Sequence, residues 1–459
     1  MNQFPLDLLD AQLAALFNRI NYERQLKVTP RSFKLQNMRE FLRRLGDPHL
    51  RCPIVHVAGT KGKGSVATMV GQILMTSGRR TGVYVSPHLE TINQRMVLDG
   101  QTITDDQLLE TLQAIEPVAN EMDREANDDD RRKLTFFEVT TAAAFCFFAN
   151  QQADAVVLEV GLGGRLDSTN VCHPLVTVIT NISFDHTKQL GNTLALIAGE
   201  KAGIIKRNIP VVSGALAPEA AEVIARVAAD NESQLVLLNR DFRVHHSVPG
   251  APFSVTGTIG EHRFELDNLT LGLLGTHQQT NAGLAIAVAK QLNCSNWQIS
   301  DNQIRSGLAL AQLAGRTEIV ARHPTVMVDI AHNPASVLAL VATLAEVSEW
   351  KSSRRKILIM AASREKEAEA MLLPLLKIFD EIIFTKYQNN PRGRAAEELL
   401  QMAETIVAHE KIQTTAKFSI QSTPLEAWNA AVAISGESDF ICIAGSAFLV
   451  AELRRIVCR

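Results

Sequence analysis

Short apolar runs alternate with helix-length segments through the first half of the chain, and this alternation restricts the folds that the chain can adopt. The runs lie at 53–59, 81–86, 154–161, 175–182, 209–214 and 234–239. Within each run the apolar residues are consecutive, which is typical of parallel strands covered on both faces. The segments between the runs that predict helices include 65–77, 105–121 and 138–150. Repeated strand–helix–strand units predict a doubly wound α/β domain.

The second half of the chain predicts two further regions. Residues 242–271 are rich in turn residues and alternate apolar with polar positions, which indicates a small antiparallel β excursion, and a helix is expected from about Asn281. A second α/β series then follows, with apolar runs at 325–332, 356–362, 381–387 and 439–446. Because 459 residues are too many for one ordinary core, we predict a first domain over 1–311 and a smaller, Rossmann-like α/β domain over 312–459.

Charge and composition narrow the classes of partner. The net charge is -3 with no long basic stripe, so nucleic acid is not an expected partner. The longest strongly apolar stretch, 140–149, is too short to span a bilayer, so no membrane association is expected. Six cysteines show no paired spacing, and nothing in the sequence demands an oxidising compartment. We therefore expect a cytoplasmic protein.

The stretch GTKGKGS, residues 59–65, is the strongest candidate for a functional site. It follows a predicted strand and precedes a predicted helix, which is the context that a phosphate-binding loop requires. Glycines allow backbone N–H groups to converge on phosphate oxygens, and Lys63 would add a positive charge. The spacing departs from the usual P-loop, since Val57 stands six positions before the lysine and Gly64 follows it. The alternative is a glycine-rich turn that binds nothing.

Further candidates follow the ends of predicted strands. Glu159 ends an aliphatic run, where an acid commonly binds Mg²⁺, although it could cap a local group instead. Asp185 and His186 follow another run, but a lone histidine is more often structural.

The remaining candidates are Lys201, on a helical stretch, and the Asp329–His332 segment of the second series. The lysine could be an ordinary surface residue. The Asp329–His332 segment could be a helix cap, because Asn333-Pro334 is a good helix start. Each of these signals is modest on its own, and their order along the chain is more informative.

Taken in order, ten motifs resemble the folylpolyglutamate synthase/dihydrofolate synthase family, which belongs to the Mur ligase superfamily of ATP-dependent carboxylate–amine ligases. They are GTKGKGS, YVSPHLETINQRM, LTFFEVTTAAAF, LEVGLGGRLDSTN, DHTKQLG, EKAGIIK, LLGTHQQTNAGLAIA, LAGRTEI, VDIAHNP and IAGSAFLV. The resemblance covers most of the chain, and the shortened GKGS loop is the norm in this family. It implies that 1–311 is an ATP-binding P-loop domain with a folate-binding loop and that 312–459 is a glutamate ligase domain.

The resemblance also implies roles for individual residues. The residues that it implies for ATP binding are Gly59, Thr60, Gly62, Lys63, Gly64, Ser65, Asn281, Arg316 and Asp329. Ser86, Glu159 and His186 would hold one or two Mg²⁺ ions, and Lys201 would be carbamoylated by CO₂ to give an anionic oxygen ligand. His332 would lie where the phosphate and the incoming glutamate meet, and it completes a catalytic set with Lys63 and Lys201. The pterin and pteroate pocket would include Pro87, His88, Arg95, Phe137, Asp167 and Ser168.

The implied reaction joins L-glutamate to dihydropteroate, to the γ-carboxyl group of reduced folates, or to both. The carboxylate would attack the γ-phosphate of ATP to give an acyl phosphate and ADP, and the glutamate amine would then displace phosphate. The expected partners are these small molecules only, and we expect a monomer. Departures from the family pattern include Lys61 for a common Asn, Gln94 for a common Glu and Ser168 for a frequent Ala. They bear on substrate preference more than on catalysis.

Two other interpretations remain open from the sequence. One is a Mur-type ligase that uses another carboxylic acid, such as a peptidoglycan precursor. The other is a nucleotide-binding switch without ligase chemistry. The presence of both Lys201 and His332 argues against the switch.

Overall fold

The computed structural model describes residues 6–21, 35–128, 133–248, 250–409 and 414–458, and these residues form two compact units. The first unit comprises the described residues up to His245 together with Phe253–Leu269 and Thr280–Ala311. The second comprises Gln312 onward together with His246–Pro252 and Thr270–Gln279. Those two short segments lie within the range 1–311 that the sequence assigns to the first domain.

The regular elements up to residue 311 are as follows. The strands are β1 (Ile54–Ala58), β2 (Thr81–Tyr84), β3 (Met96–Leu98), β4 (Gln101–Thr102), β5 (Ala155–Glu159), β6 (Val176–Ile179), β7 (Val211–Ser213), β8 (Leu235–Leu237), β9 (Phe242–His245), β10 (Phe253–Ile259) and β11 (His262–Leu269). The helices are α1 (Leu6–Phe17), α2 (Leu35–Arg44), α3 (Lys63–Thr76), α4 (Asp105–Asp128), α5 (Phe136–Asn150), α6 (Thr187–Leu190), α7 (Leu194–Ala202), α8 (Pro218–Asp230), α9 (Thr276–Asn293) and α10 (Asp301–Leu310).

The main sheet of the first unit has the strand order β4-β3-β2-β5-β1-β6-β7-β8. The six strands from β2 to β8 in this order are parallel, whereas β3 and β4 add to the edge in antiparallel fashion. Every residue of β1 and of β5 is buried, as expected for strands covered on both faces. One apolar cluster covers the sheet with α2, α4 and α5, and another covers it with α7 and α8. The predicted doubly wound domain is confirmed.

The strands β9, β10 and β11 form a separate three-stranded antiparallel sheet, as the polar alternation of 242–271 predicts. The strands β3 and β4 were not predicted, because three and two residues are too few to show a period. Helix α4 runs to Asp128, beyond the predicted end at 121, and it contains Pro117.

The second unit is a smaller α/β fold around a six-stranded sheet. Its strands are β12 (Glu318–Ala321), β13 (Thr325–Val328), β14 (Lys356–Met360), β15 (Glu381–Phe384), β16 (Lys417–Ile420) and β17 (Phe440–Ala444). Its helices are α11 (Pro334–Leu344), α12 (Ser348–Ser352), α13 (Ala368–Leu375), α14 (Ala396–His409), α15 (Pro424–Ile434) and α16 (Ala447–Val457). The order is β12-β13-β17-β14-β15-β16, with only β12 antiparallel. The predicted Rossmann-like class is therefore confirmed.

The strands β12 and β16 were not predicted, because both lie at sheet edges and carry partly exposed, polar residues. Within the residues that the structure describes, no helix combines the length and the apolar character needed to cross a bilayer.

Candidate active site

The predicted site residues of the first unit gather at one edge of the main sheet. The strands β2, β5, β1 and β6 are neighbours and parallel, so their carboxyl ends meet there. The loop 59–62 follows β1, and Glu159 is the last residue of β5. Ser86 follows β2, and His186 follows β6 and precedes α6. In open α/β sheets the carboxyl edge is where ligands bind.

The loop 59–62 has the backbone shape of an anion cradle. Gly59 and Gly62 have φ values of 149° and 83°, which residues with a side chain rarely adopt. A Cβ atom at Gly59 would clash with the Thr180 hydroxyl, and one at Gly62 would clash with the Asn281 amide. Lys63 is the first residue of α3, so the loop leads directly into a helix N-terminus. This arrangement suits phosphate groups.

The segment after β6 holds this loop in place. The backbone N–H of Thr60 donates to the Asn181 carbonyl at 2.8 Å, and that of Lys61 donates to the Asn181 side chain at 2.7 Å. The Thr180 hydroxyl donates to the Lys61 carbonyl at 2.6 Å. The Lys61 ammonium pairs with Asp185 at 2.8 Å. Although burial alone would raise it, the pKa of Asp185 is held at about 2 by this bond and by the positive charge of Lys61.

Lys201 is a buried cationic residue at the same edge. Only 4% of it is exposed, and its Nζ donates to the Gly59 carbonyl at 2.7 Å. Burial, with a further contribution from the positive charge of Lys63, lowers the pKa of Lys201 to about 7. A large fraction of this amine is therefore neutral at physiological pH, which makes it nucleophilic. The alternative that Lys201 is an ordinary surface lysine is wrong, because on helix α7 the residue is buried.

The predicted metal ligands contribute one carboxylate, one hydroxyl and one imidazole. The Ser86 backbone N–H donates to Glu159 Oε2 at 3.1 Å, which brings these two residues together. The His186 side chain is 57% exposed, and its partial desolvation is the main cause that lowers its pKa; the charge of Asp185 opposes this shift, and nearby lysine charges add to it. Among the described residues, no group of three or more His, Cys, Asp and Glu side chains is placed to form a metal cage.

Two predicted pocket residues, His88 and Arg95, contact each other. Arg95 is fully buried, and its Nε donates to His88 Nδ1 at 2.9 Å. Its guanidinium lies 5.1 Å from the centre of the Phe136 ring. Pro87, by contrast, is exposed. The segment that follows Ser86 therefore has one buried polar anchor.

The other predicted pocket residues lie on or beside the loop after β5. A Cβ atom at Gly161 would meet the Phe137 ring at 2.5 Å, so this ring packs on the start of the loop. Asp167 accepts backbone N–H bonds from Leu162 at 2.9 Å and from Thr169 at 3.0 Å. Ser168 is half-buried next to it. The carboxylate of Asp167 thus shapes the loop on which it lies.

The second unit carries the other predicted residues. Asp329 accepts from the backbone N–H groups of Thr317 and Ala331, both at 2.7 Å. Burial raises the pKa of Asp329, and the nearby charge of Arg316 acts in the opposite direction. Arg316 itself is exposed.

His332 lies at the start of helix α11. Its Nδ1 is 3.0 Å from the Ile330 carbonyl, and its backbone N–H donates to the Ser336 hydroxyl at 3.1 Å. Asn333 caps the helix by accepting from the Ser336 backbone N–H. The helix-cap interpretation therefore holds for Asn333, and His332 is placed just before the cap.

Several polar contacts near strand ends were not predicted from the sequence, including the pairing of Lys61 with Asp185, although both residues had been noted individually. Asn181 and the Lys61–Asp185 pair hold the phosphate loop, and Ser363 and Tyr387 share a buried 2.7 Å hydrogen bond after β14 and β15. The signal in the sequence was their position, because each lies at the end of an apolar run or shortly after one. Partners so distant in sequence could not be inferred from one chain.

A cavity of about 640 Å³ lies elsewhere in the first unit, against β8, β9 and β10. Arg240, Arg243 and Arg263 line it together with Asp241. It contains none of the predicted site residues, and we do not assign it to the active site.

Both units match known proteins. Residues 57–289 match the family model of the Mur ligase middle domain, and residues 315–447 match that of the Mur ligase glutamate ligase domain. A dihydrofolate synthase/folylpolyglutamate synthase of Bacillus subtilis (strain 168) is 34% identical over 423 residues, which are 92% of this chain and 94% of the relative.

Solved structures give the same result. A Mycobacterium tuberculosis folylpolyglutamate synthase complexed with ADP aligns with a TM-score of 0.85 and 29% identity over 99% of both chains. An Escherichia coli structure in complex with DHPP and ADP aligns with a TM-score of 0.80 and 30% identity, covering 98% of this chain and 97% of that one. The similarity thus extends over nearly the full length.

Proposed function

Because this chain belongs to the folylpolyglutamate synthase/dihydrofolate synthase family of Mur ligases, it is an ATP-dependent ligase that joins glutamate to folates, and we propose that it accepts both dihydropteroate and reduced folates. The double specificity is supported by the Bacillus subtilis relative, which is named for both activities. The ligase activity is supported by one observation above all. The phosphate loop, Glu159 and buried Lys201 lie together at one edge of a parallel sheet.

The first step is activation of a carboxylate. A carboxylate is a poor acyl donor, so its oxygen attacks the γ-phosphorus of ATP, the bond to the bridging oxygen breaks, and an acyl phosphate and ADP result. Backbone N–H groups of the loop 59–65 and the Lys63 ammonium balance the negative charge of the phosphates. Asn281, which packs against Gly62, holds the loop beside the nucleotide.

The second step is amide formation. The free amine of L-glutamate attacks the activated carbonyl carbon, phosphate leaves, and the amine loses a proton. Arg316, Asp329 and His332 of the glutamate ligase domain are the residues that we assign to nucleotide contact and to this step. Asp329 accepts backbone N–H bonds from just before β12 and just after β13, which supports a positioning role for these two short segments.

The donor set at the sheet edge fits Mg²⁺. This ion prefers oxygen ligands and usually binds through one or two carboxylates plus substrate phosphates rather than in an all-protein cage. Glu159 and the Ser86 hydroxyl match that requirement and would hold the ion, whereas His186 would add a nitrogen ligand, which Mg²⁺ favours less. When bound, Mg²⁺ would supply positive charge beside the phosphates.

Lys201 is the residue that we propose to be carbamoylated. Its neutral amine attacks the carbon of CO₂, a C–N bond forms, and one proton is released to leave an anionic carbamate. A buried ammonium would repel a nearby cation, whereas a carbamate oxygen would attract it. The lowered pKa of Lys201 supports this proposal, because only the neutral amine reacts.

The test is ADP formation with Mg²⁺, ATP and L-glutamate, with dihydropteroate and a reduced folylmonoglutamate supplied separately and the products checked by mass. We expect both acceptors to gain one glutamate residue. Turnover with only one acceptor would contradict the double specificity and leave the ligase activity intact. Absence of turnover with both, from folded protein that binds ATP, would overturn the folate assignment. The matches to folate enzymes give no support to a peptidoglycan ligase or a non-catalytic switch.

A further inference from the structure

A histidine interrupts the otherwise aliphatic strand β1. His56 lies between Val55 and Val57, three positions before the phosphate loop starts at Gly59, and it is fully buried. A buried polar side chain is costly unless its hydrogen bonds are satisfied. His56 has partners on both ring nitrogens, and none of them was identified from the sequence.

These partners form a chain of hydrogen bonds that ends at Asp167. The Thr169 hydroxyl donates to Asp167 Oδ1 at 2.5 Å, and His56 Nε2 is 2.8 Å from the same hydroxyl oxygen. Cys172 Sγ is 3.6 Å from His56 Nδ1. Thr169 is fully buried, and Asp167 and Cys172 are nearly so.

The direction of each bond follows from the donors available. A threonine hydroxyl has one hydrogen, and here it goes to Asp167, so His56 Nε2 must donate to Thr169 Oγ1. Burial lowers the pKa of His56 to about 3, so the ring is neutral and Nδ1 carries no proton. The Cys172 thiol then donates to Nδ1. Hydrogen bonds therefore run in one direction from Cys172 through His56 and Thr169 to Asp167.

The loop that this series of hydrogen bonds reaches, residues 161–171, connects several parts of the site. It begins just after Glu159 and carries Asp167 and Ser168, which we assign to the substrate pocket. At Gly164 it packs on the backbone carbonyls of Glu200 and Lys201, where a Cβ atom would lie 2.8 and 2.9 Å from their oxygens. A small displacement of this loop would therefore affect the pocket.

A second anchor holds the far end of the same loop. The Asn170 side chain donates to the carbonyls of Arg165 and Gly203, both at 3.0 Å. The Lys206 ammonium donates to the Asn170 side-chain oxygen at 2.7 Å. This anchor connects the loop to the end of α7, whereas the anchor through Thr169 connects it to strand β1.

We propose that His56 is a positioning residue for substrate binding, which acts through Thr169 to hold Asp167 and the loop 161–171 in the shape that receives the pterin-containing substrate. The proposal rests on the function proposed above. It assigns to His56 an effect on the affinity for the folate substrate and none on the binding of ATP, because the phosphate loop is held by other bonds, from Asn181 and Thr180.

The test compares two fully buried threonines of the first unit. Thr169→Val removes the central hydroxyl at nearly constant shape, and we expect KM for the folate substrate to rise about tenfold, the scale of one lost buried hydrogen bond. KM for ATP should stay within about twofold. Thr169→Ser keeps the hydroxyl and should restore the low KM. The matched control is Thr177→Val, since Thr177 is also fully buried, pairs with His56 on the neighbouring strand, and donates its hydroxyl to the Pro210 carbonyl rather than to the loop 161–171.

A second pair of variants keeps the inference testable if Thr169→Val fails to fold. His56→Gln can place an amide nitrogen near the position of Nε2 and should keep KM low, whereas the shorter His56→Asn cannot reach Thr169 and should raise it. The inference would be overturned if KM for the folate substrate were unchanged in Thr169→Val or His56→Asn, or if it rose equally in Thr177→Val. In that case turnover by the wild-type protein would still support the proposed function. A wild-type protein without turnover would overturn both.

Discussion

The Nζ of Lys201 donates a 2.7 Å hydrogen bond to the carbonyl oxygen of Gly59. Lys201 lies on α7 and Gly59 begins the loop after β1, so one bond joins this helix to the phosphate loop. The residue is almost completely buried, and its pKa lies near 7 because burial and the charge of Lys63 both disfavour the ammonium form. Its protonation therefore changes within the physiological pH range, and measurable consequences follow.

Carbamoylation of Lys201 should depend on pH. The neutral amine fraction is half-maximal near the pKa of about 7, so incorporation of isotopically labelled CO₂ should rise as pH increases from about 6 to about 8. Nuclear magnetic resonance of the labelled protein would detect the carbamate. Lys201→Arg should lose the signal, and the exposed Lys188→Arg should keep it. A signal of equal strength in both variants would contradict the assignment.

Stability should also rise with pH because of Lys201. Between pH 7 and 10.5 an unfolded lysine keeps its proton while the folded one has lost it, so the unfolded state binds more protons and the free energy of unfolding increases with pH. One such group contributes a slope of at most about 1.4 kcal/mol per pH unit. Urea unfolding of the wild type and Lys201→Met over this range should show a shallower rise in the variant. Equal slopes would mean that the pKa is not lowered.

Substitution of Gly62 should disable the phosphate loop. Gly62→Ala places a Cβ where the Asn281 side chain lies, at a residue with φ of 83°. Gly78 has the same φ and open space around it, so Gly78→Ala carries the same backbone strain of about 1–2 kcal/mol without the clash. We expect ADP affinity to fall at least about tenfold in Gly62→Ala and to stay near wild type in Gly78→Ala. Equal affinities, measured by calorimetry, would show that the loop tolerates the clash.

Removal of the Lys63 charge should slow catalysis more than it weakens folding. Lys63→Met deletes the cation at the start of α3, and we expect the rate of ADP formation to fall about a hundredfold or more, the usual effect of removing one group that stabilises transferring phosphate. Lys377→Met, at an exposed position of the second unit, is the control. Unchanged turnover in Lys63→Met would remove this residue from the phosphate site.

Loss of the Asp329 carboxylate should destabilise the second unit. Asp329→Ala leaves the backbone N–H groups of Thr317 and Ala331 without their acceptor in a buried place, which costs about 2–4 kcal/mol. Asp380 accepts a backbone N–H bond at an exposed position, so Asp380→Ala should cost less than about 1 kcal/mol. Urea unfolding compares the two. An equally small effect of both variants would argue that water replaces the carboxylate of Asp329.

The sequence alone predicted where the main strands lie and which polar residues follow them, and this located part of the site. Continuous apolar runs define β1, β2, β5 and β6, and polar residues directly after such runs must lie at the carboxyl edge of a parallel sheet. That reasoning led to Lys63, Glu159 and His186. It could not detect β3 and β4, which are too short to show a period, or β16, whose edge position leaves polar residues within the strand.

Whether a polar residue is buried, and what it contacts, was decided only by the tertiary structure. Lys201 meets Gly59 across 142 positions of sequence, and Lys61 meets Asp185 across 124. Likewise, His56 lies in a run that reads simply as a strand, and its bond to Thr169 spans 113 positions. The physical reason is that hydrophobic periodicity reports only which face of an element is covered. A hydrogen bond or a shifted pKa depends on which atoms another element brings within about 3 Å.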